Sequence, residues 1–74
     1  MSSALGRAIS TIRRERGLTQ KELALGAELD ETDVSLIEGG RGNPTWGEVR
    51  RISYALDIPL RDLALLAEEF ERKP

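Results

Sequence analysis

The sequence predicts an all-α, compact five-helix domain. Three features carry that prediction. Apolar residues recur at helical spacing, most clearly Leu5, Ala8, Ile9 and Ile12, which follow the pattern of a half-buried helix. Thr19 with Glu22, and Thr45 with Glu48, are Thr-x-x-Glu capping boxes, in which hydroxyl and carboxylate each take a free backbone N–H. Glycine and proline separate the periodic segments, at Gly17, Gly39-Gly40, Gly42, Pro44 and Pro59.

Taken in order, Ser2 or Ser3 caps a first helix. Gly17 ends it as a C′ residue, and Leu18 folds back onto the helix end. Thr19 opens a second helix whose inner face is Leu23, Ala24 and Ala27. Asp30 is the expected N-cap of a third, with Asp33 in its first turn favouring the positive dipole end. Leu29 and Val34 have the spacing of a hydrophobic staple across that cap. Val34 and Ile37 then face inward, while Thr32, Ser35 and Leu36 point roughly opposite. After the glycine-rich loop, Thr45 opens a fourth helix with Trp46, Val49, Ile52 and Leu56 inward; in that register Trp46 is expected in the core rather than as a stacking platform. Pro59 suits the first position of a fifth helix carrying Leu60, Leu63, Leu66, Ala67 and Phe70. Arg72-Lys73-Pro74 are expected to fray. No internal repeat, low-complexity tract or linker divides the chain, so residues 1–74 are expected to form one domain.

Composition narrows the function classes. A chain of 74 residues supports one small core, burying only about 60% of its unfolded surface. There is no cysteine and no histidine, which removes disulfides, thiolate metal sites and the commonest general base. No cofactor, metal or catalytic group is expected, since no phosphate cradle, activated nucleophile or ligand set is present. No apolar run approaches the roughly 20 residues of a membrane span, and residues 1–10 lack the pattern of a secretory signal. A cytoplasmic location is the expectation. The net charge of −2 is polarised. Arg7, Arg13, Arg14 and Arg16, then Arg41, Arg50 and Arg51, make the first helix and the middle basic, while acid concentrates at Glu28, Asp30, Glu31, Asp33 and Glu38 and again at Glu68, Glu69 and Glu71.

The segment 19–38 is thus two short helices joined by a tight corner, with an exposed second helix. That is a helix-turn-helix, which presents a rod to the major groove. Here the chain resembles the Cro/cI-type, or xenobiotic-response-element, family of helix-turn-helix regulators. Arg13, Gly17-Leu18-Thr19-Gln20, Glu22-Leu23-Ala24, Ala27, Val34-Ser35, Ile37-Glu38, Gly40, Asn43-Pro44 and Ala55-Leu56 carry the resemblance, without gaps over nearly the whole chain.

The resemblance implies a lambda-repressor-like fold and double-stranded DNA as partner. It assigns Gln20 to the groove edge, Glu31, Thr32, Ser35 and Leu36 to the recognition helix 31–38, and Arg41 and Asn43 to phosphates. Bland readings stand beside these: Gln20 as a solvated polar residue, Arg41 as an ordinary exposed arginine, Asn43 as turn chemistry before Pro44. Arg13 and Glu38 are implied to form a structural ion pair joining the first helix to the end of the third. Two departures stand out. The corner position, where the chain turns left-handed, holds Glu28, while Gly26 lies inside a helix. The recognition helix is acidic and lacks the Arg–guanine and Gln–adenine pairings that dominate direct readout.

A weak single-site reader is commonly doubled. Leu63, Leu65, Leu66 and Phe70 on the C-terminal helix, about 60–71, are the expected two-fold dimer interface; the alternative is that Leu65 and Phe70 finish the core. The leading functional expectation is a bacterial or phage transcriptional regulator, a dimeric repressor or small controller on a palindromic operator. The alternative is a protein-interaction module, such as an antitoxin or adaptor, that uses the acidic helix toward a protein partner.

Overall fold

Five helices in the computed structural model account for most of the residues it describes, 3–72: α1 (Ala4–Glu15), α2 (Gln20–Ala27), α3 (Glu31–Glu38), α4 (Trp46–Ala55) and α5 (Leu60–Arg72). Ser3 caps α1, its hydroxyl accepting the Gly6 N–H at 2.9 Å; Ser2 lies outside the described residues. Both capping boxes form, with the Thr19 and Thr45 amides donating to Glu22 and Glu48 at 2.8 Å. Asp30 stands at the N-cap of α3 but makes no side-chain cap bond. Its contribution there is its extended backbone and its carbonyl, which takes the Val34 N–H at 3.2 Å. The fifth helix begins at Leu60, so Pro59 occupies the preceding cap position and its carbonyl accepts from Asp62 and Leu63. Arg72, the first of the three residues expected to fray, is the last of this helix; Lys73 and Pro74 lie outside the described residues.

Four helices end the same way. A left-handed residue follows the last turn, and the next amide bonds back to a carbonyl five residues earlier, the Schellman arrangement. Leu18 reaches Arg13 (3.1 Å), Leu29 reaches Ala24 (2.8 Å), Arg41 reaches Leu36 (2.9 Å) and Ile58 reaches Ser53 (3.1 Å). Gly17 and Gly40 take the left-handed position without strain, but Glu28 (φ 58) and Asp57 (φ 56) take it with a Cβ. Glu28 therefore does turn the corner between α2 and α3, at a cost of about 1 kcal/mol. Asp57 was not foreseen.

All five helices contribute to one core. Ile9, Leu23, Val34, Ile52, Leu56 and Leu63 are its largest fully buried side chains. Backbones approach closely at two glycines. A Cβ on Gly6 would sit 2.3 Å from the Ile37 carbonyl oxygen, so the start of α1 rests directly on the end of α3. A Cβ on Gly26 would lie 3.1 Å from that of Ala55, which explains a glycine inside α2 where it crosses α4. Among the described residues no helix is long and apolar enough to cross a membrane.

Two expectations about burial fail. Trp46 is not core: it is the first residue of α4, ahead of the turn that packs inward, and it remains 68% exposed. Leu63 is not surface: it is fully buried beneath α5 and is closed to any partner. Leu66 and Phe70 are half-buried against the core, and Phe70 lies under the Arg7 guanidinium, 4.4 Å from its ring centroid. Of the apolar stripe expected on α5, Leu65 alone stands well exposed.

The Gly6 contact meets rigid backbone on both sides. Gly6→Ala is expected to lower the unfolding free energy by about 2–3 kcal/mol, and Glu28→Gly to raise it by roughly 1 kcal/mol. Urea denaturation of the two variants checks both signs.

Candidate nucleic-acid interface

The third helix is held from behind by a bidentate ion pair. Arg13 Nε donates to Glu38 Oε2 at 2.7 Å and Nη2 donates to Oε1 at 3.0 Å. Both side chains are about nine-tenths buried. Arg13 Nη1 also donates to the Leu18 carbonyl at 2.8 Å, so one guanidinium joins α1, the loop before α2 and the end of α3. The hydrogen bonds to Glu38 raise the Arg13 pKa above its ordinary value; burial opposes this and the carboxylate charge adds to it. Arg13 therefore stays charged at any working pH. Among the described residues no buried side-chain polar atom lacks a partner, so the pair meets the condition under which burying charge is tolerable.

Glu38 Oε1 takes a second donor, the Gln20 side-chain amide at 3.0 Å. Gln20, the first residue of α2, is thereby held at the edge of the α3 surface rather than left to solvent. Glu31, Thr32 and Ser35 are exposed and Leu36 is half-buried. These four, with Gln20 and Arg41, line one shallow depression along the outer side of α3. Asn43 lies apart, beside Leu36, Gly42, Pro44 and Glu48 in an adjoining depression. The Leu36 carbonyl receives both the Arg41 and the Gly42 amides, at 2.9 and 3.0 Å, which fixes where the following loop leaves the helix.

The charge pattern differs from its appearance in the sequence. Arg16 donates to the Leu56 and Asp57 carbonyls at 2.8 and 3.2 Å, closing the end of α4 from the end of α1. Arg51 donates to the Ala27 carbonyl at 2.9 Å and closes the end of α2. With Arg13 paired and Arg7 over Phe70, four of the seven basic residues counted above serve the fold. The Arg16 and Arg51 contacts span 40 and 24 residues, so no local signal disclosed them. Beside α3 stand the exposed carboxylates of Glu28, Asp30, Glu31 and Asp33.

Comparison with known proteins agrees with this geometry. The family described as a helix-turn-helix domain matches residues 4–66. A helix-turn-helix-type transcriptional regulator of Sinorhizobium fredii is 30% identical over 69 residues, covering 93% of this chain and 90% of that protein. The immunity repressor of Bacillus phage phi105 is 37% identical over 65 residues, which are 88% of this chain and 44% of the repressor. The chain also spans about half, 52%, of a Bacillus subtilis regulator of the same type. Among solved structures, the restriction-modification controller protein C.AhdI from Aeromonas hydrophila superposes with a TM-score of 0.79 at 32% identity, covering 81% of this chain and 91% of C.AhdI.

Removing one partner of the buried pair leaves an uncompensated charge. Glu38→Gln is expected to cost on the order of 3 kcal/mol, while replacing Arg13 and Glu38 together by Met and Leu costs markedly less. Thermal unfolding of the single and double variants measures the difference.

Proposed function

The chain belongs to the helix-turn-helix domain family, in its Cro/cI type, and from that premise we propose that it is a DNA-binding transcriptional regulator acting as a homodimer on a palindromic operator. One observation carries the reading: α3 is braced from behind by Arg13–Glu38 and presents an uncovered outer side of Thr32, Ser35 and Leu36. An eight-residue helix so placed has the dimensions to lie in the major groove. Two copies would set their α3 helices about 34 Å apart, one turn of duplex. The bacterial cytoplasm is where such a regulator meets DNA, and repression or small-controller activity are the modes its relatives' names suggest.

The side chains on α3 define what it would read. Leu36, with the Thr32 methyl beside it, offers apolar contact for a thymine methyl. Glu31 can accept from a cytosine amino group, and Ser35 can donate or accept. No Arg, Lys, Asn or Gln lies on α3 to make a bidentate purine contact. Arg41 and Asn43 take the positioning contacts to phosphate, with Gln20 at the groove edge. DNA shape supplies the remainder of the specificity.

A protein-interaction role, as an antitoxin or adaptor, is the second reading, favoured by the four exposed carboxylates around the α2–α3 corner. Salt separates the two, because phosphate binding weakens with a log–log slope of about −0.9 per phosphate neutralised.

Selecting bound duplexes from a random pool should return a two-fold symmetric site. On that site, replacing the contacted thymine by deoxyuridine should weaken binding by about fourfold per half-site, the worth of one buried methyl. In Leu36→Ala the penalty should vanish. Arg41→Ala should flatten the salt slope by about 0.9 per half-site. Absence of duplex binding even at low salt would leave the protein-partner reading standing alone.

A further inference from the structure

A trough between the end of α2 and the outer face of α4 has no part in the DNA reading above. Arg50, Arg51 and Tyr54 line it from α4, Glu28 from the end of α2, Ile58 from the loop after α4, and Leu60 from the first position of α5. Its volume is about 640 Å³. None of these residues lines the two depressions beside α3 that hold Thr32, Leu36 and Asn43. Gly26 and Gly47 also border it and add no side chain, which keeps it open.

The side chains present there have a definite chemistry. Arg51 is fixed, because its Nε donates to the Ala27 carbonyl at 2.9 Å, and the N–H groups of Nη1 and Nη2 are left for another acceptor. Arg50 is exposed one turn before Tyr54, so cation and ring are neighbours on one side of α4. Glu28 is the one carboxylate of the lining, so cations outnumber anions two to one there, on a chain whose net charge is −2. Tyr54 is 87% exposed, an aromatic standing in water in the same trough as the half-buried Ile58 and Leu60.

These features select the occupant. Walls so exposed do not enclose a small molecule, whose pocket must cover most of its surface. A polypeptide segment needs cover on one side only. Guanidinium groups take carboxylates through paired N–H donors, and Tyr54 with Ile58 offers a seat for an apolar side chain. The chain's own acids, on the margin of α3 and at Glu68, Glu69 and Glu71, could enter the trough of another copy only head to tail, which does not give a two-fold pair. We infer that this trough docks an acidic segment of a second protein, with carboxylates on Arg50 and Arg51 and an apolar side chain against Tyr54. The surface is separate from α3, so the inference stands whether or not the chain reads DNA.

The probe is a dodecapeptide of aspartate and glutamate with one central phenylalanine, titrated into the isotope-labelled full chain and followed by nuclear magnetic resonance. The expected result is a saturable shift of the Arg50, Tyr54 and Ile58 amides and of the Arg51 Nε–H, with a dissociation constant below about 1 mM. Arg50→Glu should weaken binding about fivefold at low salt, and Tyr54→Ala about tenfold. Both side chains are exposed, so the helical circular dichroism should not change. A peptide whose carboxylates are replaced by amides should not bind. Shifts centred elsewhere, or equal binding of the amide peptide, overturn the inference. Tighter binding of single-stranded oligothymidylate at the same residues overturns it in favour of nucleic acid, and self-association that is lost in Arg50→Glu overturns it in favour of a second copy. Failure of the chain to bind any duplex would overturn the DNA reading and leave the peptide result unchanged.

Discussion

The contact between Arg13 and Glu38 is the constraint that the exposed outer side of α3 depends on. Helix α3 has only eight residues, too short to be stable alone. Its inner side is anchored by Val34 and Ile37, but two apolar anchors do not fix the direction of its last turn. The carboxylate at its end does, because a bidentate guanidinium fixes orientation as well as distance. The same carboxylate takes the Gln20 amide, so the first residue of α2 and the last of α3 are referred to one point on α1. Gly6 serves the same end from another direction: without a side chain there, α1 comes down onto the Ile37 and Glu38 carbonyls.

Around this brace, the chain stops its helices by repeating one device. Two of the four left-handed stops use glycine and two use an acid, Glu28 and Asp57. At the corner before α3 the acid sits where a glycine would relieve strain, and it joins Asp30, Glu31 and Asp33 in a negative margin along that helix. Stability and charge are therefore coupled at this corner. A residue that relaxes the backbone there also removes a carboxylate from the outer margin of α3.

Much of the fold was legible because local rules and tertiary packing agree. Both Thr-x-x-Glu boxes, the Gly17 stop and the inner faces of α1, α2 and α3 follow from spacing alone, since each needs only residues within a few positions of one another. The errors arose where periodicity does not know where a neighbour ends. Trp46 shares the register of Val49 but lies one turn too early to be covered, and Leu63 belongs to a stripe that α1 already occupies. Long-range side-chain contacts were invisible for the same reason: Arg16 and Arg51 look like free cations until the chain brings helix ends to them. On the outer side of α3, Thr32, Ser35 and Leu36 could be placed outward by helical geometry, whereas the fixing of Gln20 by Glu38 required coordinates.

The internal use of arginines has a consequence for how such a protein would share a cell with a chromosome. Attachment to arbitrary sequence is driven almost entirely by cations released from phosphates, and a genome offers on the order of millions of competing sites. A chain that commits Arg13, Arg16 and Arg51 to internal contacts has fewer cations to give to that background than its eleven basic residues suggest. Each cation withdrawn in this way would lower the share of molecules held on irrelevant DNA, so the free pool would follow synthesis more closely.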